Sequence, residues 1–154
     1  MSNSNKHRSM LLMTVMHCGT NSVRAYYKEL GHKIMYQHCV PAGRKWINKI
    51  PEQITTVRNP YRVAASWLHH NDYNRFGENN WEDQWTMWKE IVQVHRFGVI
   101  VIENFNHPIK NKSKNPIPEH VEVPEDRVLF AQDIINSVRH LITDCPHYTN
   151  PWRT

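Results

Sequence analysis

A chain of 154 residues holds one ordinary domain and leaves no room for two. Leu, Ile, Val and Phe supply 35 residues, with six Trp and six Tyr beside them, which is apolar area enough for a real core and excludes a disordered polyampholyte. The formal net charge is +5, with eleven His in reserve, so the surface favours anionic partners.

No apolar run approaches the length of a membrane span. No apolar h-region follows the polar start, so a secretory signal is not expected and the reading is cytoplasmic. The three cysteines, Cys18, Cys39 and Cys145, are then expected to be reduced thiols.

In chain order, residues 1–9 read as a mobile tail and 10–154 as a single domain. Met10 to Met16 is a short apolar run suited to a buried parallel strand. It stops at His17-Cys18-Gly19-Thr20-Asn21-Ser22, and Val23 to Leu30 reads as a helix closed by Gly31. Lys33 to Gln37 predicts a second strand. Pro41-Ala42-Gly43 breaks the chain before a short helix around Arg44 to Lys49. Gln53 to Val57 is β-branched and predicts a third strand.

Asn59-Pro60 is a helix start: Asn caps, and Pro is tolerated at the first position because its missing N–H has no helical partner. That helix reaches about His70. A further helix spans about Asn80 to His95, with Trp81, Trp85, Trp88 and Val92 on one face, which core packing explains. Gly98 is read as ending it, and Val99 to Ile102 as a fourth strand. Asn104 to Pro118, with Lys110, Lys112 and Lys114, reads as a surface loop. A nucleic-acid role for that basic run is disfavoured. Val121 to Val123 is read as a short edge strand, and Pro124-Glu125-Asp126 as opening a last helix to about Thr143, its acids at the positive end. Strands alternating with helices predict a three-layer α/β fold, with a mainly parallel sheet of about four to five strands and helices on both faces.

The loop after the first strand suits an anion. A helix N-terminus offers unpaired N–H groups and partial positive charge, and ligands of open α/β sheets sit at the carboxyl ends of strands. The Walker A pattern is absent: Gly19 is present, but no Gly-Lys-Ser/Thr follows, which argues against a nucleoside triphosphatase or a kinase.

Further segments sharpen this. They are Gln37-His38-Cys39-Val40-Pro41, Arg58-Asn59-Pro60-Tyr61-Arg62-Val63-Ala64-Ala65-Ser66 and Ile102-Glu103-Asn104-Phe105. With His17-Cys18-Gly19-Thr20, they make residues Leu11 to Phe105 resemble the sulfotransferase family, P-loop-fold enzymes that use 3′-phosphoadenosine 5′-phosphosulfate (PAPS). The resemblance implies sulfuryl transfer to a hydroxyl or amine with no metal. It implies that His17, Cys18, Gly19, Thr20, Asn21 and Ser22 cradle the donor. Arg58, and Ser66 eight residues after it, would grip the 3′-phosphate. His38, just before Pro41, would be the general base, and His17 would assist at the bridging oxygen. Glu103 matches an acidic position of a strand-end motif.

The chain departs from that pattern in three places. The family usually has Lys or Arg where His17 stands, and many members carry an acid where Arg62 stands. Its C-terminal glycine-rich segment has no counterpart, so Lys112, Lys114 or Arg153 would have to substitute. The alternative is a non-catalytic nucleotide- or partner-binding protein on the same fold. The expected partners are an anionic nucleotide donor and an unknown acceptor; no membrane partner is expected. A zinc site from His17, Cys18, His38 and Cys39 is disfavoured, because neighbours on extended chain point to opposite faces and no CxxC pair exists.

Overall fold

The computed structural model describes residues 9–70, 79–105, 118 and 121–142. Among them, four strands pair in parallel: β1 (Ser9–Thr14), β2 (Lys33–His38), β3 (Gln53–Val57) and β4 (Gly98–Val101), in the order β2-β1-β3-β4. The helices are α1 (Thr20–Glu29), α2 (Pro60–His69), α3 (Asn80–Gln93), α4 (Glu125–Ser137) and the short α5 (Arg139–Ile142). Two 3₁₀ turns, Pro41–Trp46 and Ile102–Asn104, complete the elements.

The apolar run of β1 is buried on both faces, as its composition requires. Alternation along the strands sorts the side chains into two layers. Leu11, Met13, Val57, Val99 and Val101 face a large core closed by α2, α3 and α4, while Leu12 and Ile100 meet Val23 and Tyr27 of α1 on the other face. The fold is therefore α/β in three layers, as expected.

β1 lies between β2 and β3. The chain leaves β1 through α1 on one face and returns from β2 to β3 through the Pro41–Trp46 turn on the other. Gly43 of that turn packs so closely that an added Cβ would stand 2.8 Å from the Met13 methyl. The strand order thus reverses between β1 and β3, and the carboxyl ends of these two strands form the switch point where such sheets hold ligands.

The tryptophan stripe is core. Trp67, Trp81, Trp85 and Trp88 are buried and form an edge-to-face chain, with ring centroids 5.2, 5.9 and 5.5 Å apart. This is the arrangement that aromatic quadrupoles prefer.

Several boundaries differ from expectation. α1 begins at Thr20, not Val23, because Gly19 takes a left-handed conformation (φ 71°) and turns the chain directly into the helix. The turn after β2 is 3₁₀ and starts at Pro41 rather than near Arg44. Gly98 does not end α3. That helix stops at Gln93, the chain reverses at Arg96 (φ 58°), and Gly98 already belongs to β4. Ile102 leaves the strand for a 3₁₀ turn. Val121 to Val123 pairs with no described strand, and the last helix breaks at Val138. Of the expected 1–9 tail, Ser9 already begins β1; residues 1–8, the Lys110–Lys114 run, Cys145 and Arg153 lie outside the described residues.

Candidate functional site

The site is built from the carboxyl ends of β1, β2 and β3. The connection from β1 to α1 makes two consecutive adjustments: His17 takes φ 68° and Gly19 φ 71°. Glycine is required at the second, since a Cβ on Gly19 would stand 2.6 Å from Ile102 Cδ1. His17 carries a side chain through the same left-handed region, which costs about 1–2 kcal/mol for an L-residue.

Four contacts hold the loop. The Met16 N–H donates to Gln84 Oε1 at 2.9 Å, and the Met16 carbonyl accepts from Trp67 Nε1 at 3.0 Å. The His17 carbonyl accepts from an Arg58 terminal nitrogen at 3.0 Å, and the Cys18 carbonyl from Thr56 Oγ1 at 2.6 Å. Its peptides are therefore anchored from α2, α3 and β3, and α1 has no side-chain cap at Gly19. By contrast, Asn59 caps α2 through its Oδ1, which accepts the Tyr61 N–H at 3.0 Å. An uncapped N-terminus leaves helix donors to water or a ligand.

Arg58 is half-buried at the end of β3. Burial lowers its pKa, with the Cys18 and Glu103 sites opposing that shift; an arginine nevertheless stays charged at any working pH. Glu103 Oε2 accepts the Asn59 N–H at 2.9 Å. Desolvation raises the Glu103 carboxyl, against that hydrogen bond and the Arg58 charge. Glu103 thus braces the turn that carries Arg58. Ser66 is buried in α2, next to the Trp67 that holds the loop.

Of the loop residues, Cys18 is fully buried and its thiol is pushed up to about 12, mainly by loss of water. It acts as a small apolar plug, not as a nucleophile. Thr20 is buried and its Oγ1 lies 3.0 Å from Thr14 Oγ1. Asn21 is exposed and Ser22 partly so at the start of α1. The His17 ring stacks in parallel on His70 at 5.0 Å, with 3° between the planes, and meets Trp67 edge-on at 6.4 Å.

His38 ends β2, opposite Thr14 across the strand pair. Its Nδ1 is 2.9 Å from the Tyr36 hydroxyl. The structure thus ties Arg58 to the 17–22 loop at the His17 carbonyl, and puts His38 on the neighbouring strand end. Cys39 is buried and its N–H donates to the Thr14 carbonyl at 2.8 Å. Burial also pushes the Cys39 thiol well up, so both described thiols are neutral. No cluster of three or more His, Cys, Asp or Glu among the described residues is placed to hold a metal ion.

Sequence reasoning missed Tyr36, His70, Thr14 and Gln84. Gln84 had a readable signal: a polar residue inside the apolar stripe of Trp81, Trp85 and Trp88, buried and turned to the loop. His70 had none, because its partner is distant in sequence. No described helix is long and apolar enough to cross a membrane. Comparison of the chain with known protein families, with curated proteins and with solved structures gave no match.

Proposed function

We propose that the protein is a sulfotransferase-like enzyme, transferring a sulfuryl group from PAPS to a hydroxyl or amine acceptor. The observation that carries this reading is the Arg58 hydrogen bond to the His17 carbonyl. It joins the Arg-Asn-Pro segment to the first loop at the switch point, which supports reading the two segments as parts of one donor site. The uncapped α1 is suited to phosphate oxygens, and the Arg58 guanidinium is a fixed fork for a phosphate.

The donor supplies an activated sulfuryl group. His38 takes the acceptor's proton as the acceptor atom bonds to sulfur and the bond from sulfur to the bridging oxygen breaks. A neutral imidazole has the right basicity near pH 7. Adenosine 3′,5′-diphosphate leaves with the bond's electrons, and its added charge falls on the loop N–H groups, the α1 N-terminus and His17. Glu103 acts only by bracing Asn59.

One observation favours the second reading, a nucleotide-binding protein without transfer activity. His17 lies flat on His70 where the resembling family has a lysine or arginine, and an imidazole is not a permanent cation as those two are. Calorimetric titration with adenosine 3′,5′-diphosphate, on the intact protein and on Arg58→Ala, tests both. Micromolar binding weakened about 10²-fold in the variant is the expected result. No binding by the intact protein overturns both readings. Binding without transfer from labelled PAPS to any acceptor in a hydroxyl and amine panel selects the second.

A further inference from the structure

The polar cluster on the α1 face of the sheet is not used by the donor loop alone. Leu12 stands opposite Tyr36, and Thr14 opposite His38, in the β1–β2 ladder. Side chains at matched register share a face, so Thr14, Tyr36 and His38 lie on the side that α1 covers. Thr20, the first residue of α1, meets Thr14 there at 3.0 Å. The Tyr36 hydroxyl is 2.9 Å from His38 Nδ1, and Thr14 and Thr20 are its polar neighbours. The Tyr36 and His38 rings pack edge to face at 5.0 Å, and the Arg24 guanidinium lies over the Tyr36 ring at 5.1 Å. The phenol is therefore fixed in plane and direction, and its oxygen is the atom presented to Nδ1.

A histidine that removes a proton with Nε2 must carry its own proton on Nδ1, and the group at Nδ1 decides which tautomer exists. We propose that Tyr36 is a positioning residue that holds His38 as the Nδ1–H tautomer, the phenolic oxygen accepting that proton's hydrogen bond. The phenol keeps its own O–H while accepting from Nδ1, and beside it Thr14 and Thr20 share a hydrogen bond of their own. Burial raises the Tyr36 pKa, so the phenol stays neutral and keeps the proton it donates. Thr20, the first residue of α1, belongs to the same polar cluster, so the base is oriented beside the helix whose N-terminus would meet the donor. The proposal rests on the reading of His38 as the base, and its test does not need turnover.

The experiment is long-range ¹H–¹⁵N NMR of the histidine rings at pH 7.5, with the His38 signals assigned by their loss in His38→Gln. In the wild-type protein His38 is expected to show a protonated Nδ1 and an unprotonated Nε2. In Tyr36→Phe, with its circular dichroism unchanged, the ring is expected to pass mainly to Nε2–H, the form free histidine prefers. Where transfer is measurable, kcat is expected to fall about tenfold in that variant with the affinity for adenosine 3′,5′-diphosphate unchanged. A wild-type His38 protonated on Nε2 overturns the proposal, even if Tyr36→Phe fails to fold. So does a Tyr36→Phe protein that keeps the wild-type tautomer. Failure to bind the diphosphate, with the tautomer switching as expected, overturns the sulfuryl-transfer reading and leaves the Tyr36–His38 relation standing. Diphosphate binding with the wrong tautomer does the reverse.

Discussion

Arg58 donates to the carbonyl of His17 at 3.0 Å across forty-one residues of chain. This one bond decides what the loop between β1 and α1 can present. A guanidinium has five N–H donors, so the bond to a single carbonyl leaves others for an anion. In the proposed function the same residue thus fixes the loop and offers charge to its ligand. Removing it is expected to weaken adenosine 3′,5′-diphosphate binding about 10²-fold, the scale of a lost charge-assisted phosphate contact of ~2–3 kcal/mol. Arg58→Lys is expected to recover only part of this, because an ammonium cannot reproduce the planar fork. Calorimetry on both variants checks the order wild type, Lys, Ala.

Gly19 is the second fixed point of the loop. Its φ of 71° and the 2.6 Å approach of Ile102 Cδ1 to an added Cβ are separate penalties. Gly19→Ala is expected to lose about 3 kcal/mol, part from the left-handed backbone and part from overpacking. The two parts separate in a double mutant. Ile102→Ala in the Gly19→Ala background removes the clash and leaves the backbone cost, so the pair is expected to be non-additive by about 1 kcal/mol or more. Urea unfolding of the four proteins measures this.

The peptide of Met16 is held on both sides by side chains, Gln84 at its N–H and Trp67 at its carbonyl. Both partners are fully buried. Gln84→Leu leaves the Met16 N–H without its acceptor, at a cost of about 1–3 kcal/mol. Because α3 then no longer grips the loop, diphosphate binding is expected to weaken too, although Gln84 belongs to no donor motif. Paired urea unfolding and calorimetry check it. A loss of stability with unchanged affinity would show that Trp67 alone suffices to shape the loop.

Much of the fold was legible because its signals are local. The Met10–Met16 run had to be a doubly buried strand, and Asn59-Pro60 had to begin a helix. Asn59 does cap α2 with its own side chain. That a ligand would sit at the carboxyl ends of the strands followed from strands alternating with helices, while the strand order did not. What was not legible depends on pairs far apart in sequence. Val121 to Val123 alternates like a strand, but pairing needs a neighbour with a free edge, which three residues cannot announce. Gly98 looked like a helix terminator because glycine commonly is one, yet Arg96 makes the left-handed reversal two residues earlier. In the site, His17 to Ser22, Arg58 and His38 were visible as spacing. Tyr36 was hidden inside Lys33–His38, where its period-two position reads as ordinary strand packing. His70 was hidden because only the folded chain sets its ring on His17.

Thiol chemistry gives a further check. Cys18 is fully buried, with its thiol pushed up to about 12 by loss of water. An acid group whose pKa is raised on folding favours the native state below its unfolded pKa. It costs stability as pH climbs from there toward the folded value. The unfolded value is near 9, so stability is expected to hold to about pH 9 and then to fall by up to about 1.4 kcal/mol per pH unit. Cys39 is raised for the same reason and adds in the same direction. Cys18→Ala is expected to flatten the slope measured by urea unfolding between pH 8 and 10.5. In a Cys145→Ser background, a disulfide reagent at pH 8 is expected to label neither thiol until the protein is denatured.

Among the described residues, two non-glycine residues take positive φ, His17 at 68° and Arg96 at 58°, and they separate strain from function. At Arg96, which follows α3 and belongs to no motif, Arg96→Gly relieves a left-handed conformation worth about 1 kcal/mol and is expected to raise stability by nearly that, without changing ligand affinity. At His17 the same relief is offset. His17→Gly also removes a ring stacked on His70 at 5.0 Å, an aromatic contact of about 0.5–1.5 kcal/mol. Its stability is therefore expected to stay near wild type. Its affinity for adenosine 3′,5′-diphosphate is expected to fall about tenfold, because in the proposed function the His17 ring meets the charge that develops on the leaving diphosphate. Strain kept without a stability gain is what a binding residue shows. Urea unfolding and calorimetry on the two glycine variants give the comparison. If His17→Gly binds the diphosphate as well as Arg96→Gly does, then His17 is not a ligand of the donor and its left-handed turn serves only to start α1.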